Sequence, residues 1–175
     1  MRKLTVAVVL ALLGLVAPAA FPGGTVSPLP VASAACPQVE LIFARGRIES
    51  PGAGVIGNAL VSALRNKTDR SIDLYAVKYP ADTEVDIGAN DMSGRIAYMT
   101  ANCPDTRLVL GGYSQGAAIV DVITSVPFPA IGFNNPLPPD APDHIAALAV
   151  FGNPTAKVGL PLTSSPVYGF KAIDL

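Results

Sequence analysis

The sequence predicts an α/β fold in which a mainly parallel sheet lies between two helical layers. Three observations lead there. Short apolar runs of strand length alternate with longer segments of helical period between residues 39 and 173. Several of these runs are apolar almost throughout, as in strands covered on both faces, rather than alternating in and out. The 175 residues show no internal repeat and no second domain, and a hydrophobic fraction of 50% is enough for one substantial core.

The elements follow in order. VELIFA (39–44) is an apolar strand. GVIGNALVSALRNK (54–67) places Val55, Ile56, Ala59, Leu60, Ala63 and Leu64 at helical spacing. IDLYAVKY (72–79) alternates Ile72, Leu74 and Ala76 and reads as a strand. Residues 86–102 form a helix that must stop before Cys103-Pro104. RLVLGG (107–112) is a short buried strand, and QGAAIVDVITSV (115–126) is helical. Residues 126–143 hold six prolines and form a loop. HIAALAVFG (144–152) and PVYGFKAI (166–173) complete the set as strands.

The amino terminus stands apart from this pattern. A basic start, MRK, precedes an apolar stretch from Leu4 to Val16, and Ala32-Ser33-Ala34 supplies a small-x-small cleavage site. An apolar run of that length suits a secretory leader and is too short to span a bilayer. A membrane anchor left uncleaved and a lipoprotein acylated at Cys36 fit less well. The lipoprotein pattern wants Leu three residues before the cysteine, where Ser33 stands. Residues 1–34 are therefore expected to be a signal peptide, residues 35–175 the folded domain, and the protein secreted. In an oxidising compartment the two cysteines, Cys36 and Cys103, are expected to form a disulfide. Two cysteines and one histidine far apart offer no zinc site. The net charge of −1 gives no footprint for nucleic acid.

The chemistry centres on LVLGGYSQGAAIV (108–120), where a buried strand meets a helix at Gly112-Tyr113-Ser114-Gln115-Gly116. A sharp turn there needs small neighbours, and Gly112 and Gly116 provide them. The turn lifts the Ser114 hydroxyl above the carboxyl end of the sheet. The free N–H groups of the following helix lie beneath it, with that of Gln115 first in reach of a developing oxyanion. This is the nucleophile elbow of α/β-hydrolases, in the strand–turn–helix context that the motif requires. A second glycine motif, GAGVIG (52–57), matches the dinucleotide fingerprint only in letters. RGRIESP separates it from its strand, and no acidic residue ends the next strand.

FARGRIESPG, YAVKYPA, NCPDTRLVLGGYSQGAAIVD and DHIAALAVFGNP together resemble the cutinase family of secreted serine esterases, in its actinobacterial branch. The resemblance runs from about residue 36 to residue 174. It implies a small three-layer α/β-hydrolase acting as a monomer, without cofactor or metal, on cutin-like or lipid-like carboxylic esters. It implies Ser114 as nucleophile, Gln115 as an oxyanion N–H donor, and a Cys36–Cys103 disulfide.

Two departures accompany it. The family places Ser or Thr after Ala-Arg-Gly as the second oxyanion donor, whereas here Arg47 follows Gly46. Its backbone N–H remains and the hydroxyl is lost. Loss of a whole oxyanion donor elsewhere costs about 10²–10³ in rate, which bounds the effect. The second departure concerns the base, since a serine needs one held in place. The single histidine, His144, stands at the amino end of its strand, whereas Ser114 stands at the carboxyl end. A strand of that length spans roughly 20 Å, and a hydrogen bond needs about 3 Å. His144 is therefore not expected to be the base. The family's triad Asp and His, and a second disulfide, follow a segment resembling KAIDL, which ends this chain. Asp174 aligns before that acid and not with it. The chain is accordingly expected to lack the last strand and helix region. The alternative function is a catalytically silent, lipid-binding secreted protein.

Overall fold

The computed structural model describes residues 36–175. The expected leader, residues 1–34, lies outside the described residues. The order is β1 (Val39–Ala44), α1 (Gly54–Arg65), β2 (Ile72–Ala76), α2 (Val85–Asn102), β3 (Arg107–Tyr113), α3 (Gln115–Ser125), α4 (Ala141–His144), β4 (Ile145–Phe151) and β5 (Ala172–Asp174). The five strands form one sheet in the order β2-β1-β3-β4-β5, and every pairing is parallel. All carboxyl ends of the strands therefore open on the same side.

Alternation along each strand sorts its residues between the two faces. Ile42, Leu108, Leu110, Leu148 and Val150 join Met92, Ile96, Ala117, Ile119 and Val120 in the larger core, which lies under α2 and α3. Leu41 and Phe43 meet Ala53, Val61 and Ile72 on the other face, under α1. The Phe43 ring occupies space that a Cβ would need at Gly57 and at Gly111, both of which would fall within 2.6 Å of it. Two glycines thus let one aromatic ring sit between α1 and the sheet.

A carboxylate lies inside this frame. Glu40, only 1% exposed, points under α2. Arg95 answers it with a two-pronged contact, Nε to Oε1 at 2.8 Å and Nη2 to Oε2 at 2.5 Å. Removing Arg95 would leave the Glu40 carboxylate buried and unpaired, a change that costs up to about 3–5 kcal/mol. A disulfide joins Cys36 to Cys103 across 67 positions, tying the entry to β1 to the exit of α2. Loop-closure entropy credits a crosslink of that span with roughly 4 kcal/mol.

Most expected elements lie within one or two residues of those observed, with two corrections. The expected strand at 72–79 stops at Ala76. The chain then turns away, and Tyr79 leaves the sheet to bury its ring. The expected strand at 166–173 is strand only from Ala172. Before that come 3-10 turns at Leu162–Ser164 and Gly169–Lys171. Tyr168 is buried among core side chains rather than paired along a strand. Its apolar character records packing, and Gly169 packs closely against the Thr163 carbonyl. His144 proves to be the last residue of the short α4, one position before β4.

Candidate active site

The β3–α3 junction is a tight reversal. Ser114 holds φ 50° and ψ −110°, a conformation that side chains rarely adopt. The surroundings enforce it. The Ser114 N–H donates to the Phe151 carbonyl at 2.8 Å, and the Ser114 carbonyl accepts from Ala117 at 2.9 Å and Ala118 at 3.2 Å. A Cβ at Gly112 would overlap the Gly116 peptide, and one at Gly116 would overlap the Ala44 carbonyl. The two glycines are therefore required by contact, since the end of β1 lies directly against the first turn of α3. The N–H groups of Gln115 and Arg47 find no protein acceptor among the described residues.

Register brings the two donor segments together. Ala44 pairs with Gly112, so the loop leaving β1 rises beside the turn leaving β3. That loop is wired from within. Arg45 is buried, and its Nε donates to the Glu49 carbonyl at 2.8 Å and its Nη2 to the Tyr79 carbonyl at 2.7 Å. The Tyr79 hydroxyl donates back to the Arg45 carbonyl. Burial pushes the Tyr79 phenol up to about 12, against the opposing charge of Arg45. The Glu49 carboxylate accepts from the N–H of Gly46 at 2.5 Å and of Val55 at 3.0 Å, across the start of α1. Gln115 Nε2 donates to the Asp82 carbonyl at 2.9 Å, and Ile48 donates to the Ala81 carbonyl at 2.8 Å. The segment after β2 is thus tied both to the elbow and to the loop carrying Arg47. Arg47 itself is exposed.

His144 is elsewhere. Its Nδ1 lies 3.1 Å from the Pro104 carbonyl, and its Nε2 lies 3.9 Å from Asp140 Oδ2. The Ser114 amide contacts Phe151 at the far end of β4. Seven residues of extended chain separate 144 from 151, roughly 23 Å. No described histidine approaches Ser114, because His144 is the only one in the chain.

A second polar group lies beside the site. Asp174, at the end of β5, accepts from Asn153 Nδ2 at 2.9 Å and from the Leu162 N–H at 2.7 Å. Asp121, on α3, accepts from the Thr155 hydroxyl. Burial, and to a lesser degree the Asp174 charge, raise the Asp121 pKa, while the hydrogen bonds from Thr155 and Asn153 oppose the rise. A carboxyl whose folded pKa is raised costs stability once it ionises. That cost is fully present above the folded pKa and is relieved as pH falls toward the unfolded value. Asp121→Asn is expected to remove this component. Thermal melts between pH 4 and 7 should then show a smaller rise toward acid for the variant than for the parent. Equal slopes would remove Asp121 as the cause.

A groove of about 770 Å³ follows the outer side of α3, from Ala118 past Val122 to Val126, walled opposite by Leu160 and Leu162. A smaller hollow of about 300 Å³ shares Val122 and Val126 and opens toward Thr83 and Val85. Sequence reasoning found Ser114, Gln115 and Arg47 but missed Arg45, Glu49 and the Asp121–Asn153–Asp174 group. A carboxylate inside the apolar run GAAIVDVI was the one available signal for Asp121.

Comparison with known proteins agrees with this architecture. A family model described as Cutinase matches residues 35–174. A protein of Mycobacterium tuberculosis named probable carboxylesterase Culp2 is 54% identical over 170 residues, covering 97% of this chain and 72% of that protein. Another from the same organism, named phospholipase Culp4, is 52% identical over 150 residues, covering 83% of this chain and 66% of that protein. A solved cutinase-like protein from Cryptococcus sp. superposes with a TM-score of 0.62 at 25% identity, covering 81% of this chain and 77% of that one. With the parallel five-stranded sheet and the serine elbow at its centre, these matches establish that the chain belongs to the cutinase family.

Proposed function

We propose that the chain is the body of a secreted serine esterase of cutinase type. Ser114 is its nucleophile, and the backbone N–H groups of Gln115 and Arg47 form its oxyanion hole. The observation that carries this reading is the strained Ser114 backbone at the strand–helix junction, with the Gln115 N–H left without a protein acceptor. Strain of this kind clusters where a side chain must be presented for chemistry. The reaction is acyl transfer. The Ser114 hydroxyl loses its proton to a base as its oxygen attacks the ester carbonyl. The tetrahedral oxyanion is held by the two N–H groups, the alcohol leaves with a proton, and water releases the acid. Lipid-like esters suit the apolar grooves beside α3, and the names of the relatives, carboxylesterase and phospholipase, point to the same bond.

Among the described residues no imidazole approaches Ser114. One observation therefore favours a second reading, a lipid-binding protein without turnover: the single imidazole lies at the opposite end of the sheet. Active-site labelling separates the two. A fluorophosphonate should modify Ser114, as identified by peptide mapping, once the carboxyl-terminal portion of a carboxylesterase relative is joined after Leu175. The 175-residue chain alone should label far more slowly. Labelling that never falls on Ser114 in the joined protein would leave the second reading standing.

A further inference from the structure

One buried oxygen beside Ser114 has no partner among the described residues. Gln115 Oε1 is shut off from solvent and accepts no hydrogen bond, while the other half of the same amide, Nε2, donates to the Asp82 carbonyl at 2.9 Å. An amide oxygen buried without a donor destabilises the fold, and an apolar side chain of the same length would avoid that penalty. The amide therefore earns its place through Nε2 and what that group holds.

The peptide it grips is shared with the opposite side of the site. Asp82 follows Ala81, which is buried and holds φ 60°, in the left-handed region that a Cβ disfavours. Backbone strain of this kind gathers at functional sites. The Ala81 carbonyl accepts from the Ile48 N–H at 2.8 Å, and Ile48 follows Arg47. Two residues earlier, the Tyr79 carbonyl accepts from Arg45 Nη2 at 2.7 Å, and the Tyr79 hydroxyl donates to the Arg45 carbonyl. Residues 79–82 thus fasten the loop after β1 on both sides of Arg47. Arg47 itself sits in a turn, so the direction of its N–H depends on those ties. Among the described residues, the only side-chain hydrogen bond from residues 112–116 to this strut is that of Gln115.

We propose that the Gln115 side chain is a positioning group that sets the spacing of the two oxyanion donors, acting through the Ala81–Asp82 peptide. The proposal rests on the esterase reading, in which the N–H groups of Gln115 and Arg47 hold one oxyanion. A single residue then supplies the first donor from its backbone and fixes the second through its amide. Catalytic donors must be held to within about 0.5 Å of the productive geometry. A strut that spans both donors meets that demand where neither loop does so alone.

Gln115→Met keeps the backbone N–H and the length of the side chain and removes only the amide. In the 175-residue chain it should melt at or above the parent, because the unpaired oxygen is lost together with the hydrogen bond. Hydrogen exchange at the Ile48 amide should nevertheless quicken about fivefold or more, although that amide lies on another loop. In the protein joined to a relative's carboxyl-terminal portion, kcat for p-nitrophenyl butyrate should fall about tenfold, with KM within about twofold of the parent. That split marks an interaction made in the transition state. Tyr79→Phe frees the same loop from its other side. It should reproduce the fall in kcat, and it decides the point if Gln115→Met does not fold. Ile96→Val, a core change under α2, should lower the melting temperature and leave kcat unchanged. The proposal is overturned by unchanged exchange at Ile48, by a rise in KM at constant kcat, or by a fall in kcat that Ile96→Val matches. A joined protein without turnover would overturn the esterase reading and this proposal with it. An active one whose kcat survives Gln115→Met would overturn this proposal alone.

Discussion

Short-chain p-nitrophenyl esters are expected to be hydrolysed about 10⁴ times faster after the carboxyl-terminal portion of a carboxylesterase relative is joined to Leu175 than by the 175 residues alone. The reason is positional. A serine hydroxyl at its ordinary pKa is a weak nucleophile without an adjacent base. His144 is held beside Pro104 and Asp140, at the amino end of β4. In the joined protein Ser114→Ala should return the rate to background, whereas His144→Ala should leave it intact. Arg47→Thr should raise it by less than about tenfold, since the backbone donor is already present and only a hydroxyl is added. Initial rates for these variants check the whole scheme. Ordinary enzymatic turnover by the unjoined chain, lost on His144→Ala, would show that His144 reaches Ser114 after all.

Gly116→Ala is expected to be among the most damaging of single-methyl changes. The new Cβ would overlap the carbonyl groups of Ala44 and Arg45, which are backbone and cannot swing aside. Either β1 or α3 must move, and the proposed oxyanion donors sit on the loop leaving β1 and on the first residue of α3. Overpacking of this kind costs about 3 kcal/mol, equivalent to roughly 10 °C in Tm for a domain of this size. Gly94→Ala is the matched comparison. Gly94 also lies in a helix, but nothing stands within 4 Å of its added Cβ. Relief of glycine's helix penalty should raise stability there by up to about 1 kcal/mol. Circular dichroism melts of the two variants settle the matter. A Gly116→Ala protein melting with the parent would mean that β1 and α3 are not in contact at this point.

Periodicity carried the fold because burial on two faces leaves a plain mark. VELIFA, RLVLGG and IAALAVF are apolar because α1 covers one side of the sheet and α2 and α3 cover the other. The mark fails where side chains are buried without regular backbone. Tyr168 is such a case, and the strand expected around it is mostly turn, with a 3-10 stretch at Gly169–Lys171. At the site, the elbow was legible because its two glycines stand at fixed spacing from Ser114. The wiring of the loop after β1 was not. Arg45 and Glu49 look like ordinary surface charges in the sequence. Their roles depend on a chain reversal in which Ile48 takes a left-handed conformation, which no pattern rule assigns to isoleucine. The Asp121 group was hidden for a related reason, since its partners Asn153 and Asp174 meet it only once β4 and β5 are side by side.

The Phe43 ring between Gly57 and Gly111 ties three distant positions into one unit of sequence variation. An alanine at 57 or 111 collides with the ring, but a smaller aliphatic residue at 43 would vacate that space. The cost of a methyl group at Gly111 is then set mainly by the occupant of position 43. At Gly57 the Ala53 Cβ, 2.9 Å away, adds a second contact. In both cases the substitutions are strongly non-additive with position 43. A chain drifting through sequence space can exchange the aromatic for bulk on the helix or bulk on the sheet. It can do so only in the order that shrinks residue 43 first.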